Sequence, residues 1–367
     1  MIRRFFILSV VFAVLLGIAL IARNITQSHT PQSVSYLLIA LFLIVAMSII
    51  LAGCEIFANG VECLGDRMNL SHATTGSLLA AVGTALPETL LPILALLFGT
   101  EGRGEGIAVG AILGAPFMLG TLAMFLLGVV TFGMWVFKRR QTPALNVNAK
   151  VLNVELLFFV PTMVMIAGVS FLNIGWLKYA TAMVLVMIYA GFVKYAMGHV
   201  AEEGEDYSEH FYFGLYLYCP RNMRWIVLQV AAGLIFIIAG AQIFVEFITE
   251  FSIKSGMPAL ILSLLIAPVA TELPEKFNSI SWALKKKDTL AMGNISGAMV
   301  FQSTIPVSIG LLFTKWSLNF TEFLNIIFAA SMAAILLIVL KWKKTIPSWS
   351  LALGGIFYFA YLVHIFY

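Results

Sequence analysis

Apolar stretches of about 20 residues recur along almost the whole of this 367-residue chain. Inside a bilayer no water is available to satisfy backbone N–H and C=O groups. Segments of this length must therefore satisfy themselves as helices. Charged residues make up only 11% of the chain, against about a quarter in a soluble protein, and hydrophobic residues reach 61%. The expectation is an all-α integral membrane protein. Hydropathy and helix breakers give eleven spans: about 4–22, 34–66, 72–99, 106–137, 154–173 and 176–197, then 225–251, 257–284, 289–313, 320–341 and 347–366. Between the two groups lies a polar segment containing Glu202, Glu203, Glu205, Asp206 and Glu209.

The basic residues test that count. With the N-terminus placed in the cytoplasm, sixteen Lys and Arg fall inside, including Lys138-Arg139-Arg140 and Lys285-Lys286-Lys287. Five fall outside (Arg23, Arg103, Lys178, Lys254 and Lys315), and Lys276 lies within a span. A wrong count would scramble this asymmetry, so the positive-inside rule predicts a multi-pass protein of the cytoplasmic membrane, N-terminus inside and C-terminus outside. The first span, with Arg3 and Arg4 before its apolar core, reads as a retained anchor rather than a cleaved signal. Basic runs with interleaved aromatics are absent, which argues against nucleic acid as a partner, and Cys54, Cys63 and Cys219 read as apolar fillers rather than a disulfide framework.

The chain repeats itself. At a shift of 187 residues, Gly53-Cys54-Glu55-Ile56-Phe57 lies over Gly240-Ala241-Gln242-Ile243-Phe244, and Thr84-Ala85-Leu86-Pro87-Glu88 over Thr271-Glu272-Leu273-Pro274-Glu275. At a shift of 183, Gly110-Ala111-Ile112-Leu113-Gly114-Ala115 pairs with Gly293-Asn294-Ile295-Ser296-Gly297-Ala298. Five spans per copy is an odd number, so the copies insert with opposite topology, the inverted-repeat plan of secondary transporters. The organisation expected is an N-terminal anchor over 1–33, a first repeat over 34–198, a cytoplasmic acidic linker over 199–224 and a second repeat over 225–367.

A carboxylate at the centre of a span costs about 2.5 kcal/mol or more on insertion scales, so it persists where an ion, a proton or a partner offsets that cost. Glu88 and Glu275 each follow Thr-x-Leu-Pro. The proline withholds one backbone donor and clashes with the carbonyl four residues earlier, which is expected to turn carbonyls near 81–84 and 268–271 toward a cavity. Carboxylate, threonine hydroxyl and released carbonyl form an all-oxygen set of the kind hard cations prefer.

These motifs carry a resemblance. Gly83-Thr84-Ala85-Leu86-Pro87-Glu88 resembles the G-T-S-L-P-E of the cation/calcium exchanger superfamily, and Ala270-Thr271-Glu272-Leu273-Pro274-Glu275 its second copy. Each is followed by a helix resembling G-N-x-x-G-S-N-x-x-N. The likeness covers residues 34–366. It implies a ten-helix core of two inverted five-helix repeats, with a cluster of cation sites between them and paired helices that slide across the rest. Carried over residue by residue, it names Thr84, Glu88, Thr271, Glu275, Asn294 and Gln302 as cation ligands, with Glu272 an addition. Na⁺, Ca²⁺ and H⁺ are the implied substrates, with no cofactor and no obligate protein partner.

Several positions depart from the pattern. The serine after Thr is Ala85 in one copy and Glu272 in the other, the G-S serines are Ala115 and Ala298, and the last ligand position holds Leu119 or Gln302. Glu272 has two readings. A third carboxylate would strengthen divalent binding or take up a proton; alternatively it pairs with Lys276, four residues on and on the same helix face. Glu55, deep in the second span, lines a path or caps a helix break; Asn278, Ser279 and Ser303 line a path or bond across helices. An intramembrane enzyme would need a catalytic set within the spans, and Asp66, Asp206, Asp288 and the five histidines all fall at ends or in loops.

Overall fold

A computed structural model describes residues 36–67, 81–99, 103–172, 174–199 and 211–366. The expected anchor over 4–22 and the acidic residues 202–209 lie outside the described residues, as do the side chains of Thr84, Glu62 and Asp66. Among the described residues fourteen α-helices follow in order: α1 (Tyr36–Arg67), α2 (Ala81–Phe98), α3 (Arg103–Met118), α4 (Met124–Val136), α5 (Ala149–Leu172), α6 (Gly175–His199) and α7 (Tyr212–Leu217), then α8 (Met223–Ser255), α9 (Ala259–Thr271), α10 (Leu273–Leu284), α11 (Asp288–Gln302), α12 (Ile305–Phe313), α13 (Phe320–Lys343) and α14 (Ser348–Phe366). Eight stretches among the described residues are long and apolar enough to cross a membrane, and Glu88–Phe98 and Ala259–Val269 are shorter apolar helices.

Two compact units form, and neither follows the sequence halves. The first joins the chain up to Ala108 with Tyr195–Ser263; the second joins Val109–Lys194 with Leu264–Tyr367.

In the first unit α1 and α8 pack along their lengths, with α2 against both. Tyr36 donates through its hydroxyl to the Lys254 carbonyl at 3.0 Å, and Phe42 stacks on Phe247 at 4.3 Å. A Cβ on Gly53 would stand 2.8 Å from the Ile237 nitrogen, and one on Gly60 2.8 Å from Val230. As numbers rise along α1 they fall along α8, so the two helices run antiparallel. Glycines at both faces of the crossing let the backbones meet: a Cβ on Gly233 would lie 2.6 Å from the Phe57 nitrogen. Lipid offers no hydrophobic drive for helix pairing, so close backbone approach of this sort supplies the packing energy. The short α7 is tied to this pair. Gln229 donates to the Ile56 carbonyl (3.1 Å) and to Asn59 Oδ1 (2.9 Å), and the Phe213 N–H donates to Gln229 Oε1 (2.9 Å). Glu55 is exposed and accepts from the Tyr212 hydroxyl at 3.1 Å.

In the second unit α5 lies between α11 and α13, and α14 packs on α4 and α13. Residues 103–136 form one continuous apolar stretch interrupted by a π-helical turn at Leu119–Ala123. Pro116 lacks the N–H that would bond to the carbonyl four residues earlier, which loosens the ladder where the wide turn begins. Gly354 of α14 meets that turn so closely that a Cβ there would be 2.3 Å from the Thr121 carbonyl oxygen. A two-residue antiparallel ladder, Ala144 opposite Pro347 and Leu145 opposite Ile346, closes one end. Beside it Arg140 grips both oxygens of Asp288 and donates to the carbonyls of Ala144 (3.0 Å) and Ala283 (3.1 Å). No disulfide joins the cysteines of the described residues.

Candidate functional site

The expected span at 257–284 is two helices. Pro268 lies inside α9, Pro274 in the first turn of α10, and Glu272 sits at the joint with φ −94° and ψ 7°. Proline is tolerated in a first turn, where its missing N–H would be unbonded anyway, so Pro274 fits as the start of a new helix. The joint is tight: the Glu272 N–H still reaches the Pro268 carbonyl at 3.2 Å, and the Lys276 N–H reaches the Glu272 carbonyl at 3.1 Å.

Three of the expected ligands meet around this joint. Glu275 stands in the first turn of α10, buried at 4% exposure, and its Oε2 has no hydrogen-bond partner among the described residues. Asn294 on α11 donates its amide to the Glu275 carbonyl and to Ser279 Oγ, both at 2.9 Å. These two bonds use both amide protons of Asn294 and tie it to the backbone of Glu275. Thr271 is buried and donates back to the Ala267 carbonyl at 3.2 Å, which leaves its lone pairs for a ligand.

Glu272 takes the second of its two readings. Lys276 Nζ lies 2.8 Å from Glu272 Oε2, both side chains buried, and donates also to the Pro268 carbonyl at 3.2 Å. The third carboxylate is therefore neutralised within its own helix, with Oε1 unpartnered among the described residues. The Pro268 carbonyl, one of those expected to turn toward a cavity, accepts instead from the Glu272 N–H and from the lysine. The physical reason is spacing: i and i+4 place the ammonium over the joint, where it meets the carboxylate and the Pro268 carbonyl together.

Gln302 ends α11, buried, with Oε1 lacking a partner among the described residues. Its repeat counterpart Leu119 opens the π-helical turn. Both copies of that ligand position thus mark a departure from regular helix, one with its side-chain oxygen and one without. Glu88 is buried at 4% on α2, in the first unit. Thr84 lies on the same helix, its side chain outside the described residues. Among the described residues no group of three or more His, Cys, Asp or Glu is arranged to hold a metal ion.

Two polar pairs escaped the sequence reasoning. Ser296 Oγ lies 2.5 Å from Glu155 Oε2, and Asp288 is held by Arg140 and by the Asn146 N–H at 2.7 Å. Glu155 is the acidic residue within the apolar stretch of α5, and that isolation was the available signal.

The profile of the family described as sodium/calcium exchanger protein matches residues 38–198 and 225–367. This chain belongs to that family. The exchanger is 22% identical over 273 residues to the membrane protein MJ0091 of Methanocaldococcus jannaschii, spanning 74% of this chain and 81% of that one. Its fold is similar to that of the H⁺/Ca²⁺ exchanger CAX, with a TM-score of 0.72 at 15% identity, covering 99% of this chain and 89% of that one. It is also similar to the sodium-calcium exchanger NCX_Mj soaked with Na⁺ and Sr²⁺, with a TM-score of 0.55 at 18% identity over 89% and 98% of the two chains. The exchanger is a multi-pass membrane protein.

Proposed function

We propose that the chain is a secondary antiporter that moves Ca²⁺ across the cytoplasmic membrane in exchange for Na⁺ by alternating access, with Glu88 and Glu275 as its charged ligands. The observation that carries this reading is Glu275: a buried carboxylate at a helix joint, its Oε2 unpartnered, with Asn294 and Thr271 beside it. Such a group is expensive in a membrane unless an ion offsets it. The oxygen-only donor set suits a hard cation, and membership of the sodium/calcium exchanger family supports Ca²⁺ as that cation. The inverted arrangement of the repeats, with the N-terminus inside, belongs to the same reading.

One observation favours a second reading, H⁺-coupled Ca²⁺ exchange. Ala85, Ala115, Ala298 and Leu119 stand where the superfamily pattern carries side-chain oxygens. Na⁺ sites depend on neutral oxygens, whereas two carboxylates alone balance either one Ca²⁺ or two protons. With Glu272 neutralised by Lys276, two is the number that remains.

The deciding experiment follows radiolabelled Ca²⁺ into liposomes holding the full chain, against an outward Na⁺ gradient and then an outward H⁺ gradient. Na⁺-driven uptake lost in Glu88→Gln and Glu275→Gln supports the first reading; uptake driven by H⁺ alone supports the second. No Ca²⁺ movement under either gradient refutes both.

A further inference from the structure

Glu155 takes no part in the reading above, yet it is a buried acid inside a membrane helix. It sits in the second turn of α5, at the start of the apolar stretch, 8% exposed. The elements packed against α5 are α11 and α13, and α6 touches it through the Phe158–Phe192 ring pair. The charged residues of the described part of α6 are Lys178, which donates to the Thr314 and Lys315 carbonyls, and the exposed Lys194. On α11 the charged residue is Asp288, already gripped by Arg140. On α13, Glu322 closes a capping box with Asn319, and Lys341 and Lys343 lie in the last turn. Within α5 itself, Lys150 stands at the first turn. Among the described residues no cation pairs with Glu155. Its partner is Ser296 on α11, with Oγ 2.5 Å from Oε2. Its other oxygen faces Gly297, where a Cβ would stand 3.8 Å away.

The proton inventory decides the state of this acid. Ser296 Oγ also lies 2.8 Å from the Met292 carbonyl, the usual back-bond of a helical serine. Three oxygens in a row need two protons between them, a carbonyl supplies none, and a serine hydroxyl supplies one. A carboxylate buried between helices and held by a single shared hydroxyl would be left nearly unsolvated, and a group so placed neutralises instead. The same two helices meet again two turns on, where Thr162 Oγ1 is 3.1 Å from Ser303 Oγ, so α5 and α11 run parallel and in register at this face.

We propose that Glu155 is a proton-binding site of the second unit: it is held as the neutral acid, donating from Oε2 to Ser296 Oγ while Ser296 donates to the Met292 carbonyl. Ionisation breaks the Oε2–H bond and passes the proton to water, and the Ser296 hydroxyl turns from Met292 to the new carboxylate. Ser296 lies two residues beyond Asn294, the amide that orients the Glu275 carbonyl. The loss or gain of one proton therefore reads directly into the helix that carries a cation ligand. This coupling rests on the exchanger reading; the proton site itself does not.

The test separates the two. Difference infrared spectra of the purified full chain, without Ca²⁺, are recorded between neutral and alkaline pH. The expected result is a carbonyl band of a protonated carboxylic acid that Glu155→Gln loses and that Ser296→Ala moves to the position of an acid without a hydrogen-bond acceptor. A band unchanged in Glu155→Gln overturns the proposal. If that variant does not fold, a band unshifted in Ser296→Ala overturns it equally. In liposomes, Glu155→Gln is expected to keep Ca²⁺ flux and lose part of its pH dependence; flux with an unaltered pH profile removes the coupling. A wild-type chain that moves no Ca²⁺ refutes the exchanger reading, whatever the spectra show.

Discussion

Removing Lys276 by Lys276→Met should destabilise the protein more than almost any other single substitution, and removing Glu272 as well should restore most of the loss. Nitrogen and oxygen are 2.8 Å apart, and both side chains are buried. At an effective dielectric of about 20 the gross attraction is about 6 kcal/mol. Desolvation of two ions offsets most of it, so the pair as a whole is worth little relative to an apolar replacement. Its halves are different. Breaking such a pair from one side costs about 3–5 kcal/mol, because an uncompensated charge stays behind. In Lys276→Met that charge is Glu272, and the Pro268 carbonyl loses its lysine donor. In Glu272→Gln it is an ammonium left with one carbonyl. The double variant Glu272→Gln/Lys276→Met leaves no buried ion and is expected to lie within about 1.5 kcal/mol of the parent, since removal of both partners is often close to neutral. Thermal melts of the full chain in detergent, read as a double-mutant cycle, measure this. If the double variant is no more stable than the worse single, the pair is not the element that neutralises Glu272.

Other outcomes follow from the same contacts. Arg140→Ala strands Asp288 and the carbonyls of Ala144 and Ala283, so a loss of about 3 kcal/mol or more is expected in the same melts. Gly233→Leu drives a side chain into the Phe57 backbone and should abolish a folded monodisperse peak on size exclusion. Gly168→Ala, with nothing within 4 Å of the new Cβ, should be neutral or stabilising by up to about 1 kcal/mol. Asn294→Ala removes the donor to Glu275 and Ser279 and is expected to weaken Ca²⁺ binding about tenfold in calorimetry with little change in melting; unchanged affinity would take Asn294 out of the site.

The sequence by itself carried whatever a bilayer imposes locally. Membrane spans are legible because length and apolarity are properties of a segment, and the described parts of the expected spans are helical, though 257–284 and 289–313 are each divided into two helices. Glu88 and Glu275 were legible because an acid inside an apolar run stands out and the Thr-x-Leu-Pro context repeats. Even the Glu272–Lys276 pair was foreseeable as one of two readings, since its partners are four residues apart on one helix. What tertiary structure decided are relations between distant segments. That α1 and α8 meet through Gly53, Gly60 and Gly233 depends on which faces touch, and a glycine reads the same at a crossing as in a mobile loop. That Glu155 finds Ser296, and Arg140 finds Asp288, depends on segments 141 and 148 residues apart in the chain lying side by side. The choice at Glu272 belonged to the structure too, because burial, not spacing, removed the water that would otherwise have kept lysine and glutamate apart.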